Sequence, residues 1–140
     1  MASYTQHYQL HQWEPEDHFL RTDFNTDFQK IDAALGGTCT LVTGSYVGDG
    51  VEEREVSLGF APTAVLLYNE WGQTYKSPSY YGGLALPGQP VKADSYDTGE
   101  VELVALTEDG FQVRHHDSTG GGGYVNANVS GMSYCYLVFR

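Results

Sequence analysis

His115, His116 and Asp117 are adjacent residues of metal-ligating type, and they lead into the glycine run Gly120 to Gly123. Imidazole and carboxylate groups bind zinc and related ions. In a strand, however, successive side chains leave opposite faces, so His115 and His116 cannot grip one ion without a bend. The expectation is a polar strand end entering a turn, with no resident metal or other cofactor. A metal would fit only where one of these histidines met its copies on the axis of a three-fold assembly. Asp94 with Asp97, or Glu100 with Glu102, could supply the acid and base of a glycosidase. With 18 acidic residues in 140, such pairs arise by chance. No G-x-S-x-G elbow is present. Cys135 lies in an apolar run, where a thiol is inert. Gly120 to Gly123 has no following Lys-Ser/Thr, so it is not a phosphate loop. The chain reads as a non-enzyme.

A second group of residues suits recognition. Trp71, Tyr75, Tyr80, Tyr81 and Tyr96 are interleaved with Asn69, Gln73, Asp94 and Asp97. Flat rings stack on the C–H face of a sugar, while amide and carboxylate groups fix its hydroxyls. Tyrosine is also favoured at adaptable binding surfaces. The expected contact surface comprises Trp71 to Tyr81, Tyr96 and the stretch from His115 to Tyr124, with some rings spent on the core or on a subunit interface.

Those residues need a scaffold, and the pattern supplies one that is mainly β. The spacing of Phe24, Phe28, Ile31 and Leu35 is four, three, four, which predicts one helix over about 22–35 with a single apolar stripe. The same stripe is an a/d heptad seam. Thr22 or Asp23 is placed to cap its start, and Gly36-Gly37 to stop it. A helix this short is marginal alone, so the stripe must pack on the chain's own β-domain or on other copies. Residues 1–20 read as an extended aromatic arm. After the helix, Thr38 to Tyr46 and Glu53 to Leu58 flank a glycine turn and predict a hairpin. Ala64 to Tyr68 is a continuous apolar run, expected to be buried on both faces at the centre of the core. Asn69 to Asp97 is loop-like, with one short strand near Leu84. Glu108-Asp109-Gly110 joins a hairpin of Val101–Thr107 and Phe111–Arg114. Ser133 to Phe139 closes the chain as a strand. The expected architecture is an arm and attachment helix over 1–37, then a compact antiparallel β-sandwich or jelly-roll-like domain over 38–140.

Composition narrows the partners. The net charge is -11 with seven scattered basic residues, which argues against nucleic acid as a partner and disfavours an anionic membrane surface. No apolar run is long enough to span a bilayer. The N-terminus lacks the basic and apolar regions of a secretory signal, so synthesis in the cytoplasm is expected. In that setting Cys39 and Cys135 read as two unbridged thiols.

The N-terminal YQLHQWEPEDHF followed by DFNTDFQKIDAAL resembles the opening of small tail-fibre and tail-tip proteins from phages and prophages of Gram-positive bacteria. The helix form DFN-x-x-F-x-x-ID-x-x-L is filled by Asp23, Phe24, Asn25, Phe28, Ile31, Asp32 and Leu35. Further marks are G-x-Y-x-G-x-G at Gly44, Tyr46, Gly48 and Gly50, and LGF-x-P-x-x-V at Leu58, Gly59, Phe60, Pro62 and Val65. A closing Y-x-Y-x-x-F-R falls at Tyr134, Tyr136, Phe139 and Arg140. The resemblance covers both ends and the first expected hairpin; the long shaft of a full fibre is missing. It implies a virion tail component, a homotrimer seamed by Phe24, Phe28, Ile31 and Leu35. The arm would contact other tail proteins, and the β-domain would face a host-surface carbohydrate or partner protein.

Overall fold

The computed structural model of the chain describes residues 3–95, 97–117 and 124–140. They fall into two units, Met1–Cys39 and Thr40–Arg140.

In the first unit the apolar spacing does give a helix, α1 (Arg21–Gly36). Its N-cap is Leu20, in extended conformation with no side-chain cap; Thr22 and Asp23, the expected caps, lie inside the first turn. Gly37 terminates the helix, donating its N–H to Ala33 O. The arm is not extended. β1 (Ser3–Tyr4) and β2 (His11–Gln12) form a small antiparallel hairpin, closed by Thr5 N–H to Leu10 O at 2.9 Å. The cause lies on the polar side of α1. Asp27 is 6 % exposed. It accepts the His11 backbone N–H at 2.7 Å and faces the His11 ring Nδ1 at 3.0 Å, while Lys30 approaches at 3.4 Å. A buried carboxylate without such donors would be very costly, so the arm folds back to supply them. A ladder of rings follows: Tyr4 on His11, His11 stacked on Trp13 at 5.4 Å, then Phe19, Phe24 and Phe28. The stripe residues Phe24, Phe28, Ile31 and Leu35 nevertheless remain 36 to 65 % exposed.

Burial alone would raise the Asp27 pKa, but the hydrogen bonds from His11 and Lys30 outweigh it and hold it below the ordinary 3.8. A lowered folded-state pKa contributes stability that is complete above the ordinary aspartate range and lost as pH falls through the folded value. The hairpin is therefore expected to loosen below about pH 4. Asp27→Asn should flatten that acid transition in near-ultraviolet circular dichroism. Identical acid titrations for the two proteins would show that the clamp contributes nothing.

The second unit contains β3 (Leu41–Val47), β4 (Glu53–Ser57), β5 (Ala64–Asn69), β6 (Tyr75–Lys76), β7 (Ser79–Tyr80), β8 (Gly83–Ala85), β9 (Val91–Ser95), β10 (Gly99–Leu106), β11 (Gly110–His116), β12 (Tyr124–Asn126) and β13 (Ser133–Phe139). One sheet has the order β3-β13-β5-β8. The larger runs β6-β7-β12-β11-β10-β9, with β4 beside β11, and curls into a half-barrel. All pairs are antiparallel except β7 with β12. The Asp109-Gly110 hairpin forms between β10 and β11, as its turn residues predict.

The expected hairpin of the first two strands does not form. β3 pairs with β13 and β4 with β11, in different sheets. The glycine segment between them crosses from one sheet to the other. Gly48 and Gly50 donate to Met132 O and Asn128 O, and a Cβ on Gly48 would overlap the Val129 carbonyl oxygen. The residue is glycine because two backbones meet there. Asn128 is fully buried; its Nδ2 donates to Asp49 Oδ1 at 2.6 Å and to Val51 O at 3.0 Å. Nor is β5 buried on both faces. Val65, Leu67 and Asn69 are inaccessible, whereas Leu66 and Tyr68 are half-buried. The segment 69–97 holds four short strands, β6 to β9.

The core lies between the sheets, with Val65, Leu67, Tyr134 and Val138 from one and Val104, Phe111 and Val113 from the other. Tyr46 stacks on Tyr134 at 5.0 Å, and Phe111 meets the edge of Tyr136 at 5.2 Å. Their hydroxyls are satisfied in place: Tyr46 donates to Ala127 O and Tyr134 to Asn126 O. Desolvation pushes both phenols up, Tyr134 to about 12.

Candidate functional site: an aromatic surface beyond β5

β5 ends at Asn69, whose side chain organises the turn that follows. Its Oδ1 accepts the backbone N–H of Trp71 at 3.1 Å and of Gln73 at 2.8 Å. Asn69 N–H donates to Gln73 O at 3.0 Å, and Gly72 takes φ +73°. This is the Asx-type bonding that lets asparagine replace part of a backbone turn. It holds Trp71 at the tip with its side chain unneeded by the fold, and the residue is 62 % exposed. Beyond Thr74, β6 and β7 pair around a cis Ser77–Pro78 peptide. Tyr75 faces Tyr80 across the pair, ring centroids 4.8 Å apart. Tyr80 and Tyr81 pack against the core, and Tyr81 and Gly82 both donate to Thr74 O. A Cβ on Gly82 would overlap the Leu67 carbonyl oxygen, so this return strand lies tight against β5.

Trp71, Gln73, Lys76 and Tyr81 line an open depression of about 300 Å³. Two rings offer apolar faces, the amide offers a donor and an acceptor, and the ammonium offers three donors. Lys76 makes no ion pair among the described residues. The depression is thus aromatic, hydrogen-bonding and locally cationic in a chain of net charge -11.

Of the aromatic residues expected at the surface, Trp71 and Tyr81 line this depression, while Tyr75 and Tyr80 form the adjoining strand pair. Asp94 is exposed on β9 opposite Glu100 and is not among the residues that line the depression. Asp97 follows in the turn to β10, and Tyr96 lies outside the described residues. Glu100 is held by Lys92 at 2.6 Å. Lys76 was not legible as a site residue: a lone lysine in an acidic chain looks like any surface cation.

His115 is buried, with Nδ1 3.2 Å from Val125 O and Nε2 3.4 Å from Asp117 Oδ1. His115 and His116 border a small pocket of about 140 Å³ with Glu52 and Arg114. No group of three or more His, Cys, Asp or Glu able to hold a metal occurs among the described residues. Neither Cys39 nor Cys135 is in a disulfide. A groove of about 450 Å³ lies between Pro62, Pro87, Pro90 and Glu102 and has no aromatic ring in its lining. No helix among the described residues is long and apolar enough to cross a membrane. The chain matches no protein-family model, no curated protein and no solved structure.

Proposed function

We propose that this chain is a non-enzymatic tail-fibre or tail-tip subunit of a phage or prophage that binds a host-surface carbohydrate. The β-unit carries the recognition surface at Trp71, Gln73, Lys76 and Tyr81, with Tyr75 and Tyr80 beside it. The stripe of Phe24, Phe28, Ile31 and Leu35 joins three copies, and the hairpin at the N-terminus contacts other tail proteins. One observation carries the binding role: an exposed tryptophan on a turn fastened by a buried asparagine, beside a tyrosine, an amide and an ammonium. A ring kept in water on a rigid support costs stability nothing to present and favours a partner with an apolar face. The exposure of all four stripe residues supports the assembly role, because a short helix does not keep such a stripe in water.

A panel of bacterial surface glycans tests the reading, with the wild-type chain and Phe28→Asp compared side by side. Binding to at least one glycan is expected, and binding by the wild-type assembly should be stronger than by Phe28→Asp, because several sites act together. Light scattering should show the variant losing the helix-borne assembly while the β-unit melts as before. Absence of any glycan binding would favour a second reading, a structural connector, which the exposed apolar stripe equally supports. Release of reducing ends from cell wall would overturn the non-enzymatic assignment.

A further inference from the structure

β3 is an edge strand, and its free edge is unusual for this chain. Thr40 and Arg140 exchange backbone hydrogen bonds, and Gly48 donates to Met132 O. By the alternation of an antiparallel ladder, the even-numbered residues of β3 bond to β13. Leu41, Thr43, Ser45 and Val47 therefore turn their N–H and C=O groups outward, where no described strand pairs with them. Among the described residues, Arg54 alone reaches this edge, donating to Val47 O at 2.7 Å. Proteins protect long edges with charge, proline or brevity. The other flanking strands follow that rule. β4 carries Glu53, Arg54 and Glu55; β9 carries Lys92 and Asp94; β6 and β8 have two and three residues. β3 has seven residues, with neither charge nor proline.

Its sequence is also symmetric about Gly44. In LVTGSYV, Leu41 corresponds to Val47, Val42 to Tyr46 and Thr43 to Ser45. Two copies laid antiparallel with Gly44 on the two-fold axis would place Leu41 opposite Val47 and Thr43 opposite Ser45 on the outer face. Apolar would then meet apolar and hydroxyl meet hydroxyl, which are favourable cross-strand pairs. The ladder permits this register. Thr43 and Ser45, whose backbone groups point outward, become the hydrogen-bonded pair, and Gly44 becomes the close, non-hydrogen-bonded pair. Glycine leaves that approach clear, while the inner side of Gly44 is filled by the Tyr136 ring.

Charge selects the occupant. Copies carrying -11 repel one another over most of their surface. The outer face of the β3 sheet offers Cys135, Leu137, Phe139, Leu66 and Tyr68 beside the exposed residues of β3, none of them charged. We infer that β3 pairs with β3 of a second copy, antiparallel about Gly44, to join two four-stranded sheets into one. Such an interface is isologous and uses main-chain hydrogen bonds for affinity. It is independent of what the aromatic surface binds. Because a two-fold contact cannot lie within a trimer built on α1, it links one assembly to another.

The test measures mass against concentration for the full chain and for Phe28→Asp, which has no helix-borne assembly to confuse the result. The Phe28→Asp chain is expected to form dimers. Adding Thr43→Glu with Ser45→Glu sets like charges opposite each other twice and should weaken the dimer about tenfold. Thr43→Glu with Ser45→Lys places Glu opposite Lys in this register and should restore affinity to within about threefold. All three positions are exposed or outward, and a cooperative melt checks that the fold is kept. In the unmodified chain, amide exchange at Thr43, Ser45 and Val47 should be slowed, because these N–H groups meet no acceptor among the described residues of one copy and would gain one in the paired strand. A Phe28→Asp chain that stays single at all concentrations overturns the inference. So does a dimer on which the Glu/Glu and Glu/Lys pairs act alike, or fast exchange at those amides in the assembled protein.

Discussion

Trp71→Ala is expected to weaken carbohydrate binding by about ten- to a hundredfold while leaving the melting temperature unchanged. An anchor ring at the centre of a recognition surface contributes roughly 1.5–3 kcal/mol, which is that range in affinity. The fold loses little because the turn is fixed by Asn69 Oδ1 through the backbone N–H of Trp71 and Gln73, which alanine retains. Trp71→Phe should recover part of the affinity, since a smaller ring still stacks. Lys76→Ala should discriminate between ligands, weakening carboxylated or phosphorylated glycans and sparing neutral ones. Titration calorimetry of the three variants against the best glycan measures these effects. Full affinity in Trp71→Ala would remove the depression as the site.

The second large effect concerns the scaffold. Phe111→Ala is expected to destabilise the β-unit by about 3–5 kcal/mol, the usual cost of emptying a phenylalanine site in a packed core. Phe111 is inaccessible to solvent and lies 6.4 Å from the Tyr46 ring and 5.2 Å from the Tyr136 ring, centroid to centroid. Its neighbours cannot readily collapse into the space. Tyr46 is tied to Ala127 O through its hydroxyl, and Tyr136 sits over Gly44 in the register of β3 and β13. For a unit of about this size the melting temperature should fall by more than about 10 °C. Denaturant unfolding of the variant gives the free energy directly. A loss below about 1 kcal/mol would mean the two sheets are not held together around this ring.

Periodicity made α1 and the β10–β11 hairpin readable, because each is decided by neighbours in sequence. The spacing of Phe24, Phe28, Ile31 and Leu35 has one solution on a helix, and Asp109-Gly110 has one common turn. The pairing of β3 and β4 was not readable. Both strands alternate suitably and both flank glycines, so a hairpin looks natural; Gly48 is required instead by the Val129 backbone, eighty-one residues further on. The arm was misread for a related reason. A single aspartate on a polar helix face gives no sign that it will be buried by His11, sixteen residues earlier. At the candidate site the exposed rings of Trp71 and Tyr75 were legible as aromatics in a polar, glycine-rich stretch. Grouping Asp94 and Asp97 with them followed sequence proximity, whereas the depression is lined by Trp71, Gln73, Lys76 and Tyr81.

The placement of the two tryptophans gives each unit its own optical signal. Trp13 is stacked on the His11 imidazole at an interplanar angle of 13°, so its emission reports the placing of that ring. Trp71 stands in water and should emit at long wavelength, shifting to the blue when a ligand covers it. Acid that releases Asp27 from His11 will therefore be read by Trp13, and a sugar in the depression by Trp71. Trp71→Phe silences one channel and leaves the other, so acid opening of the N-terminal unit and occupancy of the depression can be followed separately in a protein that carries no added label.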